Sequence, residues 1–374
     1  LGFGEIPGIH AGTHRLNWWH WLSLGYTPAG VEVWNAMRAL DWLETRAEID
    51  ATRIGVTGIS GGGAMTQYLA AVDQRVAAAA PSCSTFTIGT QAALGLVPRQ
   101  CDCTFYPNVF QMDFPEVLAL IAPRPLLIHG GRKDHIFPPA GFRQAFHRVK
   151  RVYDLYEGAE GGEPRLRLVE TNAGHVDTPA SLAQTQQWMC HWLRDRNGAE
   201  PRPERASLQL EPPEALRCFK DVPHTALNYH VHDAWIPRSL PVAPENRESW
   251  EHRKQILQDI LRTRIFGWFP QTPISFRTRR LRAPGGYAGL FADFSAYEFD
   301  SEPGVPVRAY LLQPREPAGP VPLVVWIKGP ADHVHFPDMD EFHPLLRSHA
   351  LMIVTPRFAA RPLPARDYAQ IERT

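Results

Sequence analysis

One pentapeptide in this sequence has the pattern of a presented nucleophile: Gly58-Ile59-Ser60-Gly61-Gly62. A serine hydroxyl reacts poorly until a base takes its proton and a carboxylate orients that base. G-x-S-x-G places such a serine on a tight turn between a strand and a helix, where only small neighbours fit. Gly58, Gly61, Gly62 and Gly63 crowd Ser60 in this way. The turn would lift the hydroxyl above the sheet edge. The Gly61 N–H would then point where a carbonyl oxygen becomes an oxyanion, aided by the positive end of the following helix. The alternative is a glycine-rich turn that binds phosphate, but no Gly-Lys-Ser/Thr or second glycine fingerprint follows.

Two further residues supply the remaining chemistry. Asp134 ends Gly131-Arg132-Lys133-Asp134, just past an apolar run at residues 125–130. His175 ends Thr171-Asn172-Ala173-Gly174-His175, just past the run at 166–170, and Gly174 permits a tight turn before it. Both sit at the carboxyl ends of expected strands, where catalytic groups gather in open α/β sheets. An ordinary turn aspartate and a solvated loop histidine are the bland alternatives. The order serine, aspartate, histidine, with a strand–helix unit in each gap, is that of one known triad arrangement.

Other reactive types carry less. His129-Gly130-Gly131 reads as a strand end. His10, His14 and His20 lack a compact ligand spacing, so neither a metal nor any organic cofactor is expected. Cys101-Asp102-Cys103 is too tight for a C-x₂-C zinc knuckle and reads as loop structure, an exchangeable thiol pair being the alternative. Trp18, Trp19 and Trp21 either pack on the first helix or line an acyl or sugar pocket. Arg277, Arg279, Arg280 and Arg282 read as a solvated face.

The elements that must position these groups follow from periodicity. Thr27-Pro28 reads as an N-cap with proline at the first helical position. Val33, Trp34, Met37, Leu40 and Leu43 then extend a helix over residues 28–46. Strands are expected at 53–58, 76–80, 125–130 and 166–170. Helices are expected at 61–72, 114–121, 139–156 and 179–193, the last with Leu182, Trp188 and Trp192 on its buried side. Residues 83–107 read as irregular. Strands alternating with helices imply a parallel sheet covered on both faces, the α/β class. Residues 197–249 are rich in Pro, Glu and Arg and read as a linker. An amphipathic helix is expected at 250–266, with Ile256, Leu257, Ile260 and Leu261 on one stripe. Strand signals return at 307–312, 323–327 and 351–355.

Composition bounds the function. The 374 residues suggest two domains or three. Equal numbers of basic and acidic residues, 39 each, leave no global field to attract nucleic acid or an anionic membrane. Apolar runs fall far short of the ~20 residues of a membrane helix. Five cysteines do not make a disulfide scaffold. Thirty-five prolines, about twice the usual share, point to many loops and capped elements. The sequence opens on Leu1 without a signal-peptide pattern, and both ends look cut.

Residues 1–195 resemble the latter part of an α/β-hydrolase of the acetylxylan-esterase and dienelactone-hydrolase-like group. The matching stretches are Gly25-Tyr26-Thr27-Pro28-Ala29-Gly30-Val31-Glu32-Val33-Trp34, Arg53-Ile54-Gly55-Val56-Thr57 leading into the serine motif, Leu120-Ile121-Ala122-Pro123-Arg124-Pro125-Leu126-Leu127, Asp134 with Phe137-Pro138, and Gly174-His175. The resemblance implies a three-layer, mostly parallel sheet. It also implies Ser60 as nucleophile, His175 as general base, Asp134 as its orienter, and hydrolysis of carboxylic esters with acetylated carbohydrate as one substrate class. Export or a periplasmic location is implied as well. Members of this fold place several strands before the elbow, including the loop that gives a second oxyanion donor, and these are not found before Ser60. Residues 286–374 resemble the front half of another such unit. The expected layout is therefore a hydrolase part at 1–196, a linker at 197–285 and a partial second unit at 286–374, a window of a tandem protein. A circular permutant is the alternative. Functional alternatives are a prolyl-oligopeptidase-like peptidase and a catalytically incomplete module with a binding role.

Overall fold

The computed structural model describes residues 24, 27–104, 106, 108, 110–157, 163–194, 211–226, 243–267, 279–281, 293–302, 304–314, 319–327 and 344–355. His10, His14, His20, Trp18, Trp19, Trp21, Arg277 and Arg282 lie outside these residues. The chain divides into two compact units, the first running to Arg253 and the second covering Lys254–Glu372.

In the first unit the elements run α1 (Pro28–Glu44), β1 (Ile54–Ile59), α2 (Gly61–Val72), β2 (Val76–Ser82), α3 (Ile88–Ala93), α4 (Phe114–Ala119), β3 (Leu126–Gly131), α5 (Pro139–Glu157), β4 (Leu166–Thr171) and α6 (Pro179–Leu193). The four strands are all parallel, in the order β1-β2-β3-β4. Helix α1 starts as its residues dictate: Thr27 Oγ1 accepts the Gly30 N–H at 2.8 Å, and Pro28 follows where no N–H is needed. Strand β3 is buried throughout, as a strand covered on both faces must be. Its alternating side chains face two cores. Leu126 and Ile128 pack with Leu40, Leu69, Val149 and Tyr153 on the face covered by α1, α2 and α5. Leu127 packs with Trp188 of α6 on the other. The unit is thus a three-layer α/β arrangement, a parallel sheet with helices on both faces.

The sequence expectations need three corrections here. Residues 83–107 are not wholly irregular: α3 and two 3₁₀ turns, Val97–Arg99 and Asp102–Thr104, interrupt them. Leu182 is not on the buried side of α6 and is 41% exposed, whereas Trp188 is 4% exposed. At 100° per residue the two stand about 120° apart around the helix, and Met189 and Leu193 dictate which side faces the sheet by filling the space over Gly55. Strand β2 runs to Ser82, two residues past its expected end, because Ser82 keeps pairing with Ile59 and His129.

Helix α7 (Arg247–Ile260) starts three residues before the expected helix and ends in a π turn over Leu261–Ile265. Its apolar stripe is exposed at Ile256, Leu257 and Leu261. The second unit holds β5 (Arg279–Leu281), β6 (Asp293–Glu302), β7 (Val305–Gln313), β8 (Leu323–Ile327) and β9 (Ala350–Thr355). Their order is β5-β6-β7-β9-β8, antiparallel except for the parallel pair β8–β9. Leu312, Leu346, Leu351 and Ile353 form its core. Arg279 and Arg280 of the basic run pair within this sheet, opposite Glu298 and Tyr297.

Candidate active site

Ser60 occupies the turn between β1 and α2 at φ 58° and ψ −118°, a left-handed conformation that a residue with a Cβ adopts only under constraint. The constraint is visible on both sides. Ser60 N–H donates to Ser82 O on β2 at 3.0 Å, and Ser60 O accepts from Ala64 N–H at 2.9 Å. A Cβ on Gly58 would lie 2.7 Å from the carbonyl of Gly62, and one on Gly63 would lie 2.4 Å from Ser84 Oγ. Gly58 and Gly63 are therefore there for close approach, whereas a Cβ on Gly62 would meet nothing within 4 Å. Gly61 is the first residue of α2, so its N–H has no partner within the helix.

Asp134 stands three residues past β3 and is buried. Its Oδ1 accepts the Ile136 and Phe137 N–H groups at 2.8 and 2.9 Å, and its Oδ2 meets His175 Nδ1 at 2.9 Å. Burial alone would push this carboxyl up. The His175 hydrogen bond and the two backbone donors outweigh it and hold the group below the ordinary carboxylate range. Asp134 is thus an anion whose lone pairs are committed. His175 follows β4 and keeps 23% of its side chain exposed, with the Phe137 ring stacked on its imidazole at 5.6 Å. The carboxylate draws the proton to Nδ1 and leaves Nε2 as the basic nitrogen. Cys83 lies beside the pair: its sulfur and one donor atom each of Asp134 and His175 lie within 4.8 Å of one another. Burial pushes this thiol up to about 11, so it stays protonated.

The structure therefore joins Asp134 to His175 and puts Ser60 on a strained elbow at the same end of the sheet. No hydrogen bond joins Ser60 to His175 among the described residues. Strands β1 and β4 are third neighbours, so their ends lie about 14 Å apart, and the His175 loop must fold back over the sheet to approach Ser60.

Sequence reading missed a second polar group under this site. Ser82 Oγ lies 2.7 Å from His129 Nδ1 and donates to Asp177 Oδ1 at 2.5 Å, while His129 Nε2 lies 3.0 Å from Thr171 Oγ1. His129-Gly130-Gly131 does end β3 as expected, but burial lowers the basicity of His129, and it stays neutral within this network. The only sequence hint was Asp177, two residues past His175. Cys101 and Cys103 of the tight loop are disulfide-bonded to each other.

No protein-family model matches the chain. Among curated proteins it is 26% identical over 165 residues to "Putative hydrolase YtaP" of Bacillus subtilis (strain 168), a match covering 44% of this chain and 54% of that protein. The chain thus spans about half the length of the curated relative it matches. Among solved structures it is similar to a carbohydrate esterase family 15 glucuronoyl esterase from Caldicellulosiruptor kristjansonii. That match has a TM-score of 0.38 and 23% identity, over 47% of this chain and 56% of that one. The glucuronoyl esterase catalytic domain from Hypocrea jecorina matches with a TM-score of 0.38 and 20% identity, over 45% of this chain and 52% of that one. Likeness at this level leaves substrate and residue roles to the chain's own geometry.

Proposed function

We propose that the first unit carries the triad of a serine carboxylesterase, with Ser60 as nucleophile, His175 as general base and Asp134 as its orienter. The observation that carries this reading is the 2.9 Å bond from His175 Nδ1 to Asp134, which leaves Nε2 basic. In the proposed reaction Nε2 takes the Ser60 proton as Oγ attacks the ester carbonyl. The Gly61 N–H stabilises the oxyanion. His175 then returns the proton to the leaving alcohol, and water hydrolyses the acyl-enzyme by the same route. The Bacillus subtilis relative is named as a hydrolase, which is in keeping with this. Acetylated carbohydrate is the proposed substrate class, on the resemblance of the motif stretches to acetylxylan esterases.

The strand order β6-β7-β9-β8, a hairpin followed by a parallel pair, supports reading residues 286–374 as the front half of a second such unit. The esterase reading is tested by p-nitrophenyl acetate hydrolysis with the full chain beside Ser60→Ala. Loss of at least about 10³-fold in kcat is expected in the variant. Equal rates in both proteins would refute the assignment.

A further inference from the structure

The polar chain under the site has one consistent assignment of its protons. Ser82 has a single hydroxyl proton, and Asp177 takes it. Ser82 Oγ must then accept from His129 Nδ1, and the bare Nε2 of His129 accepts from Thr171 Oγ1. Every proton runs the same way, from Thr171 at the end of β4, through His129 on β3 and Ser82 on β2, to the Asp177 carboxylate. Ser82 and His129 are register partners on adjacent strands and are 3% and 1% exposed. This is not a second triad. There a histidine accepts the serine proton, whereas here the histidine donates and the serine lies between the other two groups.

The network has a use the geometry makes plain. Asp177 belongs to the loop that carries His175, yet it bonds to β2, two strands back from β4 and next to the elbow strand β1. We propose that the Asp177–Ser82–His129 strut carries the His175 loop back across the strand ends toward Ser60, and that Asp177 is a positioning residue for the general base. This rests on the esterase reading above. Without the strut, Asp134 would still hold His175 Nδ1, but among the described residues no other hydrogen bond of residues 172–178 would draw the loop beyond β3.

The test uses the full chain with Asp177→Ala, Asp177→Asn and Ser82→Ala. One readout is the rate at which a fluorophosphonate modifies Ser60. The other is the downfield proton resonance of His175 Nδ1, assigned by its loss in His175→Gln. Asp177→Ala and Ser82→Ala are each expected to slow labelling by about 10- to 100-fold, the scale of a misplaced catalytic group, and to broaden the resonance. Asp177→Asn keeps an oxygen that accepts the Ser82 proton, and is expected to label within about threefold of wild type. Wild-type labelling with an intact resonance in Asp177→Ala overturns the strut. So does Asp177→Asn behaving like Asp177→Ala, because charge rather than the hydrogen bond would then be the agent. A wild-type chain that is never labelled refutes the esterase reading instead. The resonance still decides the strut: loss in Asp177→Ala with retention in Asp177→Asn upholds it, and persistence in both overturns it.

Discussion

At the scale of single residues, carboxylates do the holding. Asp134 fixes the histidine, Asp177 fixes the loop around it, and Glu170 fixes the rim. Glu170 accepts from Arg143 Nε and Nη2, both at 2.6 Å, and from Arg132 Nε at 3.0 Å. The Arg143 hydrogen bonds, with help from Arg132 and against burial, pull its carboxyl down from 4.5 to about 2. The folded value lies below the unfolded one, so the stabilisation is complete above pH 4.5 and is lost as pH falls toward 2. Both arginines are about half exposed, so water screens the pairs and the contribution is about 1 kcal/mol. Glu170→Gln should therefore lose about that much at neutral pH and show a shallower acid-side fall in unfolding free energy, measured by urea titration across the acid range. An unchanged acid slope would mean that the arginines do not hold this carboxylate in solution.

At the scale of elements, the elbow depends on backbone contact. A Cβ on Gly58 meets the Gly62 carbonyl at 2.7 Å, while one on Gly62 meets nothing within 4 Å. Gly58→Ala is expected to cost about 1–3 kcal/mol through overpacking and to slow fluorophosphonate labelling of Ser60. Gly62→Ala, in the first turn of α2, should be neutral or stabilising by up to about 1 kcal/mol. Thermal unfolding and labelling of the two variants side by side check this contrast, and equal damage from both would contradict it. These elements were legible because their signals are local. Thr27-Pro28 caps a helix, the glycines demand a turn, and β3 is a continuous apolar run. Helix α3 was not legible: Ile88-Gly89-Thr90-Gln91-Ala92-Ala93 is too short to show a period, and its start is fixed by the Thr87 cap and by Asp113 Oδ1 accepting the Ile88 N–H. Strand β6 was hidden by Asp, Ser and Glu, which strands disfavour, and it forms because β7 pairs along its whole length. The face of α6 was misjudged at Leu182 because periodicity gives the stripe but not which part of it meets the sheet.

At the scale of the molecule, the two sheets each carry their own core, and every proposed catalytic group belongs to the four-stranded one. The placing of Ser60, Asp134 and His175 was readable in the sequence because each follows a strand, and the parallel strands all end at the same end of the sheet. The Ser82–His129–Asp177 strut was not, since its members come from three segments that only the parallel register brings together. Among the described residues no helix is long and apolar enough to cross a membrane, and the balanced charge gives no general attraction to polyanions. What remains is a site in which the proposed base is paired with its orienting carboxylate, while the proposed nucleophile stands on a strained turn. The measurement that tests this most directly is peptide mapping of the fluorophosphonate adduct on the full chain, beside His175→Gln. The account predicts a single adduct on Ser60 that His175→Gln slows by at least about 10³-fold. An adduct on another serine, or Ser60 labelling that ignores the loss of His175, would contradict it.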